Sequence, residues 1–313
     1  MTIFSWAFLA FQGIESIGAS VLPSTPRAGE PVAIVLKHRQ SVPEGCFGIS
    51  GQRAVCIVGI PVDSRGLHAV DVGGEQVVVK LVPRKDRKGH VVFRVRTPKP
   101  SIAKGLADAG TAPVDGPVNG REAIRAATSV SAPKRLWSAP FEWPAEGGGH
   151  PFGVVRSYTR YRDGKLEKKW KGRHLGVDIG ARRGSRVKAT NDGRVILTGH
   201  FFGTGRCVYL DHGLGLFTMY FHLDAIDVKT GDTVKRGQTI GRVGSTGSST
   251  APHLHWEARI GRTSIDPTRL IPLSRKLAKL SKSPAHRGHS GFVTTGSVGA
   301  RRLSRPNIPT VSR

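Results

Sequence analysis

The sequence predicts a mainly β protein of two domains, a small β-sandwich-like domain at the N-terminal end and a second β domain after it. Three observations carry the prediction. Runs rich in β-branched residues, PVAIVLKH, RAVCIVGIPV, EQVVVKLV and HVVFRVRT, recur between Gly, Pro and Asp, the pattern of short strands joined by turns. Nothing between residues 24 and 98 fits a helix of ordinary length. A chain of 313 residues is long for one small core, so two domains plus tails is the natural division.

Taken in order, residues 1–23 hold an apolar run from Ile3 to Phe11, too short for a membrane span of ~20 residues. With Gly18, Ala19 and Ser20 behind it, the run reads as a secretory signal without its basic leading segment, or as a first buried strand. Residues 24–98 form the N-terminal all-β domain, which gathers no catalytic residue types and reads as a structural or positioning module. Cys46 and Cys56 either close a short disulfide loop in an oxidising compartment or are buried thiols; no pair of the three cysteines has metal-binding spacing. Residues 99–149, rich in Pro, Gly and Ala, read as a linker with a short helix around Arg121 to Ala127. It ends by docking Trp137, Phe141 and Trp143 on the next domain. Residues 150–272 return to short strands, punctuated by NDG, DHGLG and STGSS turns. Residues 273–313 contain no Asp or Glu and read as a basic disordered tail, apart from a short helix near Arg275 to Lys282.

Lys and Arg number 48 against 22 Asp and Glu, a net charge of +26, so an anionic partner is implied. Zinc-finger, RNP and basic-zipper signatures are missing from the sequence, and the positive charge clusters in linkers and tail rather than around stacked aromatics. Nucleic acid is therefore not expected. An anionic envelope surface, engaged through the basic tail, fits the charge.

The chemistry lies in the second domain. In HLHWEARI, residues 253–260, alternation sends His253, His255, Glu257 and Arg259 to one face and Leu254, Trp256, Ala258 and Ile260 to the other. Two histidines so placed lie ~6.5 Å apart at Cα, near enough for one to hold a metal while the other works on its water. In FTMYFH, residues 217–222, the same rule predicts that Phe217, Met219 and Phe221 pack while Thr218, Tyr220 and His222 share the polar face. In HLGVDIG, residues 174–180, His174, Gly176 and Asp178 share a face. On a straight strand His174 and Asp178 would stand ~13 Å apart, so a bend or bulge is expected at Gly176. Two histidines and a carboxylate with further histidines nearby is the composition of a catalytic zinc site that keeps a position open for water. Glu257 competes as a base on geometry alone. His150, His200, His212, His286 and His289 receive no role.

H-x-x-x-D at 174–178, MYFHLD, VKTGDTVKRGQTIGRVGSTGSSTAPHLHWE and its H-x-H at 253–255 together resemble the lysostaphin-type (LytM-like) zinc endopeptidases, which cleave peptidoglycan cross-links. The likeness covers roughly residues 150–272 and extends to Leu136 if LWSAPFEWP counts as the lead-in. It implies a compact antiparallel β catalytic domain with its site in a groove floored by a sheet. It also implies one Zn2+ held by His174, Asp178 and His255, with His253 catalytic and helped by His222, and Glu257 in a supporting position. The family's Tyr-Ala-His is Tyr220-Phe221-His222 here, a packing change expected to be neutral for chemistry. RYRDGKLEKKWKGR, residues 160–173, stands where the family has a variable groove-lining loop. The expected protein is thus a secreted or periplasmic zinc endopeptidase acting on peptidoglycan.

Four rivals compete. An inactive scaffold of the same fold that activates another wall hydrolase is disfavoured by the intact ligand set. A non-haem iron oxygenase uses the same donor types, but gives the H-x-H pair no role and usually spaces His and carboxylate more closely. A biotinyl or lipoyl carrier matches GDTVKRGQTIG, residues 231–241, but the modified Met-Lys turn is missing. A nucleic-acid binder fails on its charge distribution.

Overall fold

A computed structural model describes residues 19–37, 41–50, 52–95, 117–201 and 203–282. The N-terminal domain is built on an antiparallel sheet of β1 (Ala19–Leu22), β2 (Pro31–Leu36), β3 (Cys46–Ile49) and β4 (Arg53–Gly59), in the order β1-β2-β4-β3. A hairpin of β5 (Leu67–Val72) and β6 (Glu75–Lys80) packs against one face of it. Every residue of β2 is buried, and a strand buried throughout needs cover on both faces. Val32, Ile34 and Leu36 meet Val72, Val77 and Val79 of the hairpin, whereas Ala33 and Val35 join Phe47, Leu273 and Leu277 in the core of the second domain. Cys46 and Cys56 are directly paired across β3 and β4 and are joined as a disulfide. β1 begins at Ala19, inside the stretch read as a signal segment, while residues 1–18 lie outside the described residues.

The strand read from HVVFRVRT is β7 (Lys88–Val95), but it finds its partner elsewhere. After α1 (Pro117–Ala127) and β8 (Gly149–His150), the chain forms β9 (Val155–Arg162), which pairs in parallel with β7 and antiparallel with β10 (Lys165–Arg173). This three-stranded sheet spans both domains. Local pattern identifies a strand but not a partner some 65 residues away, which is why the sequence placed it wholly in the first domain.

The second domain adds β11 (Gly176–Gly180), β12 (Arg186–Lys188), β13 (Gly193–Phe201), β14 (Gly205–Asp211), β15 (Leu216–Ile226), β16 (Thr233–Val234), β17 (Thr239–Val243), β18 (His253–Ile260) and β19 (Thr263–Ile265). Its main path runs β16-β13-β14-β15-β18-β11-β8, with β12 paired to β17, β17 to β15 and β19 to β18. Val177, Ile179, Tyr220, Leu254, Trp256 and Ala258 form one buried face with Trp137 and Phe141. The end of the expected linker docks here: Trp137 and Phe141 meet edge to face at 5.3 Å, and the Leu136 and Glu142 amides donate to His212 and Thr190 carbonyls. Trp143 stays half exposed against Trp256, 5.6 Å away.

Helix α2 (Pro267–Lys282) closes the domain. Asp266 caps it through the Thr268 amide and hydroxyl, with Pro267 in the first helical position. Leu270, Ile271, Leu273 and Leu277 are buried. The short helix expected near Arg275 to Lys282 is thus the end of a longer, packed helix, because Leu270, Leu273 and Leu277 share its inward face. The rest of the expected tail, 283–313, lies outside the described residues. No helix among the described residues is long and apolar enough to cross a membrane.

Candidate metal centre and active site

Four strands build one row of side chains. Asp178 on β11 lies directly opposite His255 on β18 on one side and His150 on β8 on the other, and Phe221 on β15 lies opposite His255. Directly opposed residues share a sheet face. His174 enters from outside the row. It sits between β10 and β11, with its amide donating to Val154 and its carbonyl accepting from Gly153. The chain thus turns before Gly176 rather than at it. Gly176 itself is paired within β11, and a Cβ there would meet His255 Nε2 at 2.5 Å and the Trp256 carbonyl at 2.6 Å. The expected bend is displaced, and the glycine instead makes room for the back of the His255 ring.

The donors converge. His174 Nε2, Asp178 Oδ1 and His255 Nδ1 form a triangle with edges of 2.9, 2.9 and 3.1 Å, slightly below the ~3.3 Å separating donors on a four-coordinate zinc with ~2.0 Å bonds. His174 Nδ1 donates to the Pro151 carbonyl at 3.1 Å, so in the neutral ring Nε2 carries a bare lone pair aimed at a carboxylate oxygen. Such an arrangement needs positive charge at its centre. Burial lowers the His174 pKa, outweighing its bond to Asp178. Burial also opposes a charge on His255, but hydrogen bonds to Asp178 and Glu257 lift it to about 9. Asp178 is buried too, yet the two imidazoles hold its carboxyl far below the usual carboxylate range. Among the described residues this is the one cluster able to hold a metal.

His253 lies beside the triangle with Nε2 3.6 Å from Asp178 Oδ1, and its Nδ1 donates to the Ala251 carbonyl at 2.7 Å. His222 packs on it with ring centroids 4.8 Å apart and donates from Nδ1 to the Thr246 carbonyl at 2.8 Å. Burial, followed by the charges of His255 and His253, pushes the His222 pKa down to about 3. The STGSS turn therefore does more than reverse the chain, because Thr246 pins His222.

The faces of β15 are the reverse of the expected ones. Phe217, Met219 and Phe221 lie opposite Arg259, Glu257 and His255, on the site face, where they form a separate apolar cluster with Phe201, Cys207 and Tyr209. Thr218 and Tyr220 point into the other core, satisfied by a buried chain from Thr190 through Tyr220 and Thr218 to His212. Alternation would carry His222 to that side as well. Instead it adopts a left-handed φ of 62°, which returns its ring to the site at a local cost in backbone energy. Phe221, expected to be neutral, lies flat against the His255 ring, 5.3 Å away and 2° from parallel.

Two partners escaped the sequence reading or were left open by it. Arg156 on β9 donates from Nη2 to Asp178 Oδ2 at 2.7 Å, with both side chains largely covered. Its signal was the alternation Arg156, Tyr158, Arg160, Arg162, which begins before the stretch singled out for its composition. Glu257 is buried, accepts from Arg259 and Ser264 at 2.9 and 3.0 Å, and lies 3.9 Å from His255 Nε2. It is tied up behind His255 rather than open for proton transfer.

A sheet-floored His/Asp/His triad flanked by two further imidazoles is able to hold a metal ion, and residues 172–267 match the Peptidase family M23 profile. This part of the chain is a peptidase M23 domain. The chain is 39% identical over 110 residues to the DD-carboxypeptidase/endopeptidase Mpg of Neisseria meningitidis, covering 35% of this chain and 25% of that protein. It is 32% identical over 201 residues to the murein hydrolase activator NlpD of Salmonella dublin, covering 64% of this chain and 44% of that one. A crystal structure of a Pseudomonas aeruginosa protein assigned to peptidase M23 superposes with a TM-score of 0.51 at 24% identity, over 82% of this chain and 95% of the other. At that identity the likeness is one of fold. The chain spans between a quarter and under half of the length of these two curated relatives.

Proposed function

We propose that the protein is a zinc-dependent endopeptidase that hydrolyses peptide cross-links of peptidoglycan in a secreted or periplasmic setting. The observation that carries the reading is the convergence of His174 Nε2, Asp178 Oδ1 and His255 Nδ1 within 3.1 Å of one another. Two neutral imidazoles and a carboxylate are the donor set of a catalytic zinc site with an open position. The relatives named for endopeptidase activity or murein point to the substrate. The Cys46–Cys56 disulfide suits an oxidising compartment.

When bound, a zinc ion supplies Lewis acidity and acidifies water at the site. The protein's own part follows from its hydrogen bonds. His253 commits Nδ1–H to Ala251 and keeps the Nε2 lone pair beside the triad, where it can take a proton from the attacking water and return it to the leaving amine. His222 commits Nδ1–H to Thr246 in the same way and packs at a tilt beside His253, holding that ring in place. Arg156 occupies Asp178 Oδ2, which leaves Oδ1 for the cation.

Digestion of purified sacculi tests this. The wild type is expected to release cross-link fragments, while His255→Ala and the chelated wild type release none and zinc restores the latter. Equal fragments from wild type and variant would end the zinc reading. The alternative, an inactive scaffold that activates another wall hydrolase, draws on the NlpD likeness. Zinc-loaded wild type that leaves sacculi intact yet accelerates a second hydrolase would favour it.

A further inference from the structure

The hairpin of β9 and β10 presents a basic, aromatic face beside the triad. On β9, Arg156, Tyr158, Arg160 and Arg162 fall on one face, and the register places Gly172, Trp170, Lys168 and Lys165 opposite them. Arg156 already touches Asp178, so this face begins at the metal triad. At its middle Tyr158 and Trp170 stack at 5.1 Å and 12°, with the Arg160 and Lys168 cations 5.9 and 6.0 Å from the Trp170 ring. A bulge at Glu167 brings one carboxylate among them, 2.7 Å from Arg160 and 3.4 Å from Arg162. Lys165 and Lys168 are exposed. From Arg156 to Arg162 the face runs ~20 Å, about the length of five or six extended residues.

We propose that this face docks a carboxylate-bearing extended peptide and feeds it to the triad. The inference rests on the peptidase reading and names the substrate chemistry that reading leaves open. Cations outnumber carboxylates along the face, and the aromatic pair acts as a rigid post between the strands. Tyr158 and Trp170 each give one ring face to the other, so the pair offers no open series of rings for the base stacking that single-stranded nucleic acid requires. The opposite face of β10, with Lys169 and Lys171 across from Thr159 and Ser157, offers an internal control of similar charge.

The test uses the full chain with His253→Ala to block turnover. Probes are a soluble muropeptide with free carboxylates, the same fragment amidated, and phosphatidylglycerol vesicles. Lys168→Glu is expected to weaken binding of the free-carboxylate fragment about tenfold, Lys171→Glu to leave it unchanged, and amidation to weaken binding to the parent protein. Unchanged zinc affinity in Lys168→Glu shows that hairpin and site remain intact. No effect of Lys168→Glu, equal effects of the two lysine variants, or tighter Lys168-dependent binding to vesicles would each overturn the proposal. In the active chain, cleavage with an unaltered kcat/KM for Lys168→Glu would sink the docking face and leave the peptidase standing. Lys168-dependent binding without any cleavage by the wild type would do the reverse.

Discussion

At the scale of single residues, both the site and the fold depend on groups outside the H-x-x-x-D and H-x-H motifs. Arg156 is one. It completes the hydrogen bonding of a carboxylate that two imidazoles already use, and such supporting partners set metal affinity by ~10–100-fold. Arg156→Leu is accordingly expected to weaken zinc binding by about that factor in competition with a chelator, while His174→Ala abolishes it. His212 is another. It is fully enclosed, bonded to the Asp192 carbonyl and Thr218 hydroxyl, and burial lowers its pKa to about 4. As pH falls below ~6.5 the unfolded chain takes up this proton first, so the stability is complete above that value and drains away towards about pH 4. Urea unfolding should show the wild type losing roughly a few kcal/mol more than His212→Gln between pH 7 and 4. Equal losses would show that His212 does not carry the acid sensitivity.

At the scale of elements, periodicity was legible and orientation was not. The alternation of β18 was read correctly, with Leu254, Trp256 and Ala258 fully buried. On β15 the alternation was also real, and Phe217, Met219 and Phe221 do pack, but on the side that faces the site. Both faces of that strand are covered: one by Trp256 and Leu254, the other by Phe201, Cys207 and Tyr209. A strand buried on both sides carries no hydrophobic signal saying which face looks at the site. In α2 the expected short helix is present, but it is longer and packed. Its basic residues suggested a solvated tail, yet Leu277 is 1% exposed and packs with Val35 and Leu273 in the common core. Leu277→Ala is therefore expected to cost ~2–5 kcal/mol in denaturant unfolding. A cost below ~0.5 kcal/mol would return the segment to the tail.

For the whole molecule, the N-terminal domain braces the segments that carry the ligands. Arg173, next to His174, is held by Asp63 at 2.7 Å and Asp86 at 2.9 Å, both from the first domain. Arg84 donates to the carbonyls of Phe152 and Ala28, and a Cβ on Gly153 would strike its guanidinium. β7 adds a full ladder along β9. A chain starting at residue 117 would leave that edge of β9 unpaired, and exposed edges template association. Light scattering should show such a chain aggregating under conditions where the full protein stays dispersed; a monodisperse, zinc-binding fragment would refute the bracing role.

The sequence by itself determined the β character of both domains, the HxH strand, the docking of Trp137 and Phe141, and the donor types available to the site, whose grouping came from the family resemblance. These follow from side-chain period, turn chemistry and donor type, which are local properties. Tertiary structure alone decided which face of β15 looks at the site, why residue 176 is glycine, that Arg156 holds Asp178, and that a strand of the first domain completes a sheet of the second. Each of these depends on which distant segment lies alongside, a choice made by burying two surfaces together and left unwritten in either one.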